Sequence, residues 1–408
     1  MQKQPQRIIV IGGGASGLAA AIAAAGDGAS VTILERLPRV GKKILLTGNG
    51  RCNLGNETIR PERVHGSCSF AAEMMQKFDT VQFFRMLGLY TRTDAEGRMY
   101  PMSGMAASVL DALRFCAEQR GVQMLCEMQV TGFSFRNGAW QVNCGTQCFS
   151  ADAVIVAAGG CASPACGTDG SLFPVIKSLG IPVNTPKPAL CAIPTDEKLV
   201  RPLKGLRVRA EAAAIVNGKC MKRETGEVQF TGHALSGICI FNLSRIAAVH
   251  GKKAEISLNL LPGYSPEQVN EMLRMLVMQR GALPASELLS GLLPKRIGEV
   301  WLKQIFGTLN APAGELLHSD DARQRLTALL LDRRFPVTGT APFAQAQVTA
   351  GGVSGEALSD SLEVKGMHGL YVCGEAADTD CDCGGYNLTW CWSSGTCAGH
   401  AAAIRRNL

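Results

Sequence analysis

The sequence predicts an α/β protein that opens on a Rossmann-like βαβ unit, changes character in its middle and returns to α/β near its end. Three observations predict it. The chain opens on a β-branched run, a glycine triplet and an alanine-rich segment, in the order strand, turn, helix. It closes on a second Gly-rich α/β stretch after Pro336. Between the two, the composition shifts at a proline-dense crossing and then into a long helical pattern.

Arg7–Ile11 reads as a short strand buried on both faces, because its β-branched residues run on without polar alternation. Residues 12–17 form a Gly-rich turn, Leu18–Ala25 an Ala-rich helix and Ser30–Leu34 a second strand. Pro38–Asn56 is a loop dense in Gly, Lys and Asn, and helical patterns follow over 71–87 and 103–120. Short strands come next near 122–127, 128–135, 139–144 and 146–150, with Asn137 and Gly138 as a hairpin turn. Ala153–Ala157 is a buried strand leading into Gly159 and Gly160. Four prolines between Pro182 and Pro194 read as a crossing linker. Residues 195–260 look β-rich around one amphipathic stretch near 235–249, and 265–334 look helical, cut by Pro284, Pro294 and Pro312. A strand over Gly369–Cys373 and a terminal helix over 387–405 complete the chain. The expected parts are a first domain segment at 1–190, an insert at 191–335 (β-rich over 191–262, helical over 263–335), and a second domain segment at 336–408.

At 408 residues the chain is too long for one ordinary core. With 46% hydrophobic and 18% charged residues and a mean hydropathy of +0.10, it is not a disordered protein. Its net charge of +7 comes with no Lys/Arg run longer than two, which reads as a solubilising surface rather than a nucleic-acid patch. The apolar stretch from Ile8 to Ala25 imitates a signal peptide or a membrane span, but glycines at 12, 13, 14 and 17 disfavour a helix there. No membrane segment is therefore expected. Sixteen cysteines without framework spacing, in a chain this large, point to thiols in a reducing cytoplasm. Cys381 and Cys383 lack the further ligands a metal site needs, so no metal is expected.

The chemistry begins at Gly12, Gly14 and Gly17. The first glycine permits a tight turn, the second lets a pyrophosphate approach the backbone, and the third lets helix and strand pack closely. The helix N-terminus supplies N–H groups and a favourable dipole. Glu35 ends the second strand, where a carboxylate accepts hydrogen bonds from an adenosine ribose. NAD and FAD both use this fingerprint. The second piece, Gly369–Glu375 leading to Gly384–Asn387 and a final helix, suits the longer FAD, with that helix aiming its positive end at the flavin. Only one complete fingerprint follows a strand, so a nicotinamide donor is expected to bind transiently, without a domain of its own.

These residues resemble the FAD-dependent flavoproteins of the BaiN/YhiN type, also described as NAD(P)/FAD-dependent oxidoreductases or the aminoacetone oxidase family. The resemblance covers nearly the whole chain. It rests on Gly41–Lys43, Thr47–Asn53, Tyr100 with Pro101, Ala157–Gly160, Gly167–Gly170, Phe230 with Thr231, Ser236 with Gly237, Thr349–Val353, Gly374 with Glu375, and Gly384–Asn387. It implies a glutathione-reductase-like FAD domain split by an insert with a β-barrel-like part and a helical part. The cofactor contacts it implies are Gly12, Gly14, Ala15, Ser16 and Gly17 at the first turn, and Glu35 and Arg36 after the second strand. In the loop they are Lys43, Gly48, Gly50, Arg51, Cys52 and Asn53. Val130, Gly159 and Gly351 follow, then Gly374, Glu375, Gly385, Asn387 and Leu388. The chain departs from the family pattern at Gly232–Ala234, where a His or Asp would directly follow Thr231, and at Cys381, where Gly is more usual.

Reduced flavin gives hydride from N5, so an acid must protonate the other end of the acceptor. His233 and Tyr386 are the candidate donors, each with a structural alternative, and Arg51 is a candidate for stabilising negative charge on flavin or substrate. Lys42 and Lys43 are candidates for phosphate, with one of the two expected to be merely solvated. The expected activity is an FAD-dependent oxidoreductase acting on a small molecule. Its acceptor would be a conjugated enone, such as the 3-dehydro-bile acids that one class of relatives reduces, with NAD(P)H as donor. The alternatives are an amine oxidase using oxygen, a tRNA-modifying or RNA-binding flavoprotein, and a redox-sensing interaction partner.

Overall fold

A computed structural model describes residues 5–404 of the chain, so the last expected residue of the terminal helix, 405, lies outside the described residues. The chain forms two compact units, Met1–Ala189 with Phe343–Leu408, and Leu190–Pro342.

The first unit is built on a five-stranded parallel sheet in the order Leu370–Val372, Ala153–Val156, Arg7–Ile11, Ser30–Leu34, Gln123–Leu125. Ala153–Val156 is buried at every residue, as expected of a strand covered on both faces. The helix Ala15–Gly26 follows the first strand and the helix Tyr386–Ala403 closes the unit. These two lie backbone to backbone: a Cβ on Gly395 would stand 2.3 Å from Ser16 O, and one on Gly399 2.3 Å from Ala20 O. A three-stranded meander, Gly132–Arg136, Ala139–Cys144 and Gln147–Ala151, turns at Asn137 and Gly138. Both turn residues have positive φ, 51° and 77°, as a two-residue hairpin turn demands.

Three expectations change here. The pattern over 71–87 is two helices, Ala71–Lys77 and Thr80–Met86, because the Asp79 side chain accepts from Gln82 N at 2.8 Å and caps a new start. The proline-dense crossing holds a strand, Val183–Ala189, paired antiparallel with Val348–Val353 through an irregular register that accommodates Pro186. The loop after Pro38 contains a tight 3-10 turn, Ile44–Gly50, and a short strand, Gly55–Asn56.

The second unit carries a six-stranded antiparallel sheet in the order Ile193–Pro194, Ala234–Ser236, Lys219–Phe230, Arg207–Val216, Ala254–Asn259, Arg333–Pro336. Its two edges meet. Thr338 N donates to Pro194 O at 3.1 Å and Thr195 Oγ1 donates to Pro336 O at 2.7 Å, closing the sheet on itself in a barrel-like way. The helices Pro266–Arg280, Lys295–Phe306 and Asp320–Leu331 bury Leu273, Trp301, Leu326 and Leu330. Pro284, Pro294 and Pro312 each sit at a helix N-cap, so they start helices and interrupt none. Arg333–Pro336 returns to the sheet, so the unit ends at Pro342 instead of residue 335.

Candidate dinucleotide-binding site

In the first unit, Gly12 has φ 102°, and a Cβ there would lie 2.6 Å from Ala157 O. A Cβ on Gly17 would lie 1.9 Å from Gly12 O. The fold itself demands both glycines. Gly14 differs. It is the N-cap of Ala15–Gly26, a Cβ on it would meet nothing within 4 Å, no side chain caps the helix, and its first turn holds no acidic residue. A bare, open helix N-terminus without a side-chain acceptor is what a phosphate group requires, so the residues fit a dinucleotide cofactor.

Glu35 is buried, and its two oxygens accept from Gly13 N at 2.8 Å and Leu37 N at 2.9 Å. This fixes the carboxylate at the turn and leaves each oxygen a further lone pair. Arg36 pairs with Asp169 at 2.6 Å, tying the second strand's end to the segment after Gly167. Val130 is buried in the loop behind Glu35, whose carbonyl accepts from Met128 N at 2.8 Å.

Lys43 Nζ lies 2.8 Å from Glu375 Oε2, and the other Glu375 oxygen accepts from Thr349 N. Lys42 donates to Ala165 O at 2.7 Å, so neither lysine is merely solvated. Gly48 approaches Asn53 N too closely for a side chain, whereas Gly50 faces open space. Arg51 is exposed, with its guanidinium 5.1 Å from the Tyr100 ring centroid. Cys52 is fully buried, and burial pushes its thiol up to about 12, which makes it a packing group instead of a nucleophile.

Asn53, with its amide turned to satisfy its partners, donates to Gly55 O at 2.9 Å and Met99 O at 3.1 Å and accepts from Gly385 N at 3.1 Å. It thereby ties the loop to the start of the terminal helix. That helix is also uncapped by any side chain. Its Trp390 and Trp392 indoles donate to Gly374 O at 2.9 Å and Leu54 O at 3.0 Å. Gly374 N donates to Ser394 Oγ, and a Cβ on Gly374 would stand 2.3 Å from Ser16 Oγ. Two segments more than three hundred residues apart thus meet at the first helical turn.

Gly159 abuts Thr168, and Gly351 N donates to Asp378 Oδ1 at 3.1 Å. Asn387 clamps Cys381, accepting from its N and donating to its O, both at 2.9 Å. Leu388 is half-buried beside it. The buried Tyr386 hydroxyl donates to Thr58 O at 2.9 Å, and burial raises its pKa, so its proton is committed to a backbone carbonyl. His233 belongs to the second unit, exposed on the turn between Thr231 and Ala234.

One pair escapes the motif reading. His65 Nε2 lies 2.9 Å from Asp382 Oδ1, and the Asp382 side chain is 2% exposed. Its one trace in the sequence is the alternation Asp378, Asp380, Asp382 directly before Gly384, acids where a buried strand would carry apolar residues. Among the described residues no group of three or more His, Cys, Asp or Glu could hold a metal ion, and no helix is long and apolar enough to cross a membrane.

The family model described as the HI0933-like protein Rossmann domain matches residues 6–401. The chain is 37% identical over 411 residues to a 3-dehydro-bile acid delta(4,6)-reductase of Clostridium scindens, spanning 98% of this chain and 99% of that protein. It is 27% identical to a ribosomal RNA dihydrouridine synthase of Haemophilus influenzae, spanning 95% and 96% of the two chains. The protein of the same name from Escherichia coli is 28% identical, spanning 95% of each.

Proposed function

The chain belongs to the HI0933-like family of Rossmann-fold FAD-dependent oxidoreductases, and on that premise we propose that it reduces a carbon–carbon double bond conjugated to a carbonyl in a small, steroid-like acceptor, with NAD(P)H as electron donor. The observation that carries the reading is the spacing of two uncapped helix N-termini in one unit. Ser16, in the first turn after Gly14, packs against Gly395 of the terminal helix, so that helix's start at Gly385 stands about 15 Å farther along, a separation that suits a cofactor with a pyrophosphate at one end and a flavin at the other. Bound there and reduced, FAD supplies the hydride. The backbone of Gly14, Ala15 and Ser16 holds the pyrophosphate, and Glu35 receives the ribose hydroxyls. Lys43, fixed by Glu375, offers its charge to the cofactor's phosphate and ribityl side. The N-terminus at Gly385 favours negative charge at the flavin end. Arg51, stacked on Tyr100 and exposed, is the group that meets the charge developing on the acceptor's carbonyl oxygen. Sixteen thiols without a disulfide support a reducing, cytoplasmic setting.

The test is an anaerobic absorption titration of the FAD-loaded protein with NADH and NADPH, followed by a 4-en-3-one steroid. Bleaching by one nucleotide and reoxidation by the steroid are expected. Oxidation of amines with release of peroxide in air would instead make it an oxidase.

A second reading has its own support. Uracil carries a double bond conjugated to a carbonyl, and two relatives are named as ribosomal RNA dihydrouridine synthases. The charge is also less even than the absence of basic runs suggests. Leu190–Pro342 holds twenty Lys and Arg against fourteen Asp and Glu, and the rest of the chain twenty-one against twenty. The basic excess therefore belongs to the second unit.

A further inference from the structure

We propose that His65, oriented by Asp382, is the proton donor of this reduction, an assignment that rests on the enone reading above. The strand Val64–Gly66 pairs antiparallel with Thr379–Cys381, which sets His65 opposite Asp380. From there its Nε2 reaches Asp382 Oδ1 at 2.9 Å. The two side chains differ in access, His65 being 24% exposed and Asp382 2%. Asp382 is itself held, since its N donates to Arg63 O at 3.0 Å and Asn387, which clamps the neighbouring Cys381, also donates to its carbonyl. Three residues later comes Gly385, the uncapped start of the terminal helix. The pair therefore stands on the turn that delivers the flavin-facing helix.

A buried carboxylate on one ring nitrogen fixes an imidazole's orientation and compensates its positive form, leaving the other nitrogen to exchange protons with a ligand. Here that nitrogen is Nδ1. The two candidates read from sequence do not offer the same combination. The Tyr386 hydroxyl is committed to Thr58 O, and His233 stands exposed on its turn without a buried carboxylate on its ring among the described contacts. In the step, hydride from the reduced flavin adds to the alkene carbon β to the carbonyl, and the double-bond electrons move toward oxygen as an enolate. The His65 imidazolium gives its Nδ1 proton to the α carbon. The carbon–carbon bond becomes single, the flavin is oxidised, and neutral His65 regains a proton from water.

The test compares two acceptors in the FAD-loaded protein. Ferricyanide takes electrons without forming a C–H bond, whereas a 4-en-3-one steroid needs the proton. In H65Q, which preserves a donor to Asp382, the ratio of steroid to ferricyanide turnover is expected to fall about 100-fold or more, and added imidazole is expected to restore part of it in H65A. Diethyl pyrocarbonate labelling of His65, read by mass spectrometry, is expected to slow when the saturated ketone product is present. An H65Q ratio within threefold of wild type overturns the assignment, as does labelling indifferent to the ketone. Loss of both turnovers together in H65Q and H65A also overturns it in favour of a structural role. A wild-type protein that takes electrons from NAD(P)H but reduces no enone overturns the parent reading, and the assignment with it.

Discussion

Gly14 and Gly17 stand three residues apart and answer different demands. The absent side chain at Gly17 makes room for Gly12 O, 1.9 Å from where a Cβ would sit, so Gly17→Ala must push the helix off the first strand. That variant is expected to lose stability by about 1–3 kcal/mol, as overpacked cores do, whether or not FAD is present. At Gly14 the surrounding protein leaves room, so Gly14→Ala is expected to keep the melting temperature of the FAD-free protein within a degree or two while weakening FAD binding at least tenfold. Thermal melts of the apoprotein and a fluorescence titration with FAD separate the two. Cys52 makes a residue-scale prediction of another kind. Burial holds its thiol near 12, against 9.0 when free. The folded chain keeps a proton that the unfolded chain releases above pH 9. This contribution is therefore complete below pH 9 and declines as pH rises toward 12, by about 1.4 kcal/mol per unit. Urea midpoints at pH 8, 9.5 and 11 are expected to fall less steeply in Cys52→Ala than in wild type.

Short elements here depend on end groups more than on hydrophobic period. The helix Thr80–Met86 is seven residues long and owes its separate start to Asp79, so Asp79→Ala is expected to lower stability by about 1 kcal/mol, measurable by urea unfolding. Apolar periodicity runs through 71–87 without a break, which is why the two helices read as one; the cap lies in one hydrogen bond that periodicity does not register. The hairpin at Asn137 and Gly138 is legible because those residue types tolerate the positive φ that the turn needs. Prolines mark positions but not their direction. Pro284, Pro294 and Pro312 open helices, while Pro186 and Pro188 sit in a strand with a single partner, where a missing N–H is tolerated. The cofactor turn is legible because three glycines, a helix and an acid come in one order within thirty residues. The His65–Asp382 pair is not, because a single strand pairing joins positions 317 residues apart.

For the whole molecule, the divided Rossmann architecture is readable because each end of the chain carries its own glycine-marked segment, and these segments share one sheet in the structure. What a count of Lys/Arg runs cannot register is charge accumulated over dispersed positions. The second unit gathers its excess from cations such as Arg201, Lys204, Lys219, Lys252 and Lys253, none adjacent to more than one other in sequence. The two acceptor readings share their bond chemistry and differ in what docks. A free enone needs no phosphate contacts, whereas a structured RNA neutralises several cations, and its binding then weakens with salt at a slope near −0.9 per phosphate contact. An excess of six charges dispersed over a unit of this size is expected to give weak, screened attraction. Filter binding of a uridine-containing RNA hairpin should accordingly appear at 50 mM salt, vanish by 200 mM, and weaken further when Lys252 and Lys253 are both changed to Glu, with steroid turnover unchanged in that variant. Binding that persists at 200 mM with a slope of several units, accompanied by dihydrouridine in the bound RNA, would instead identify uridine as the acceptor. The proposed cofactor geometry would stand, because the roles proposed for Gly14, Glu35 and Gly385 concern FAD and would be the same for either acceptor.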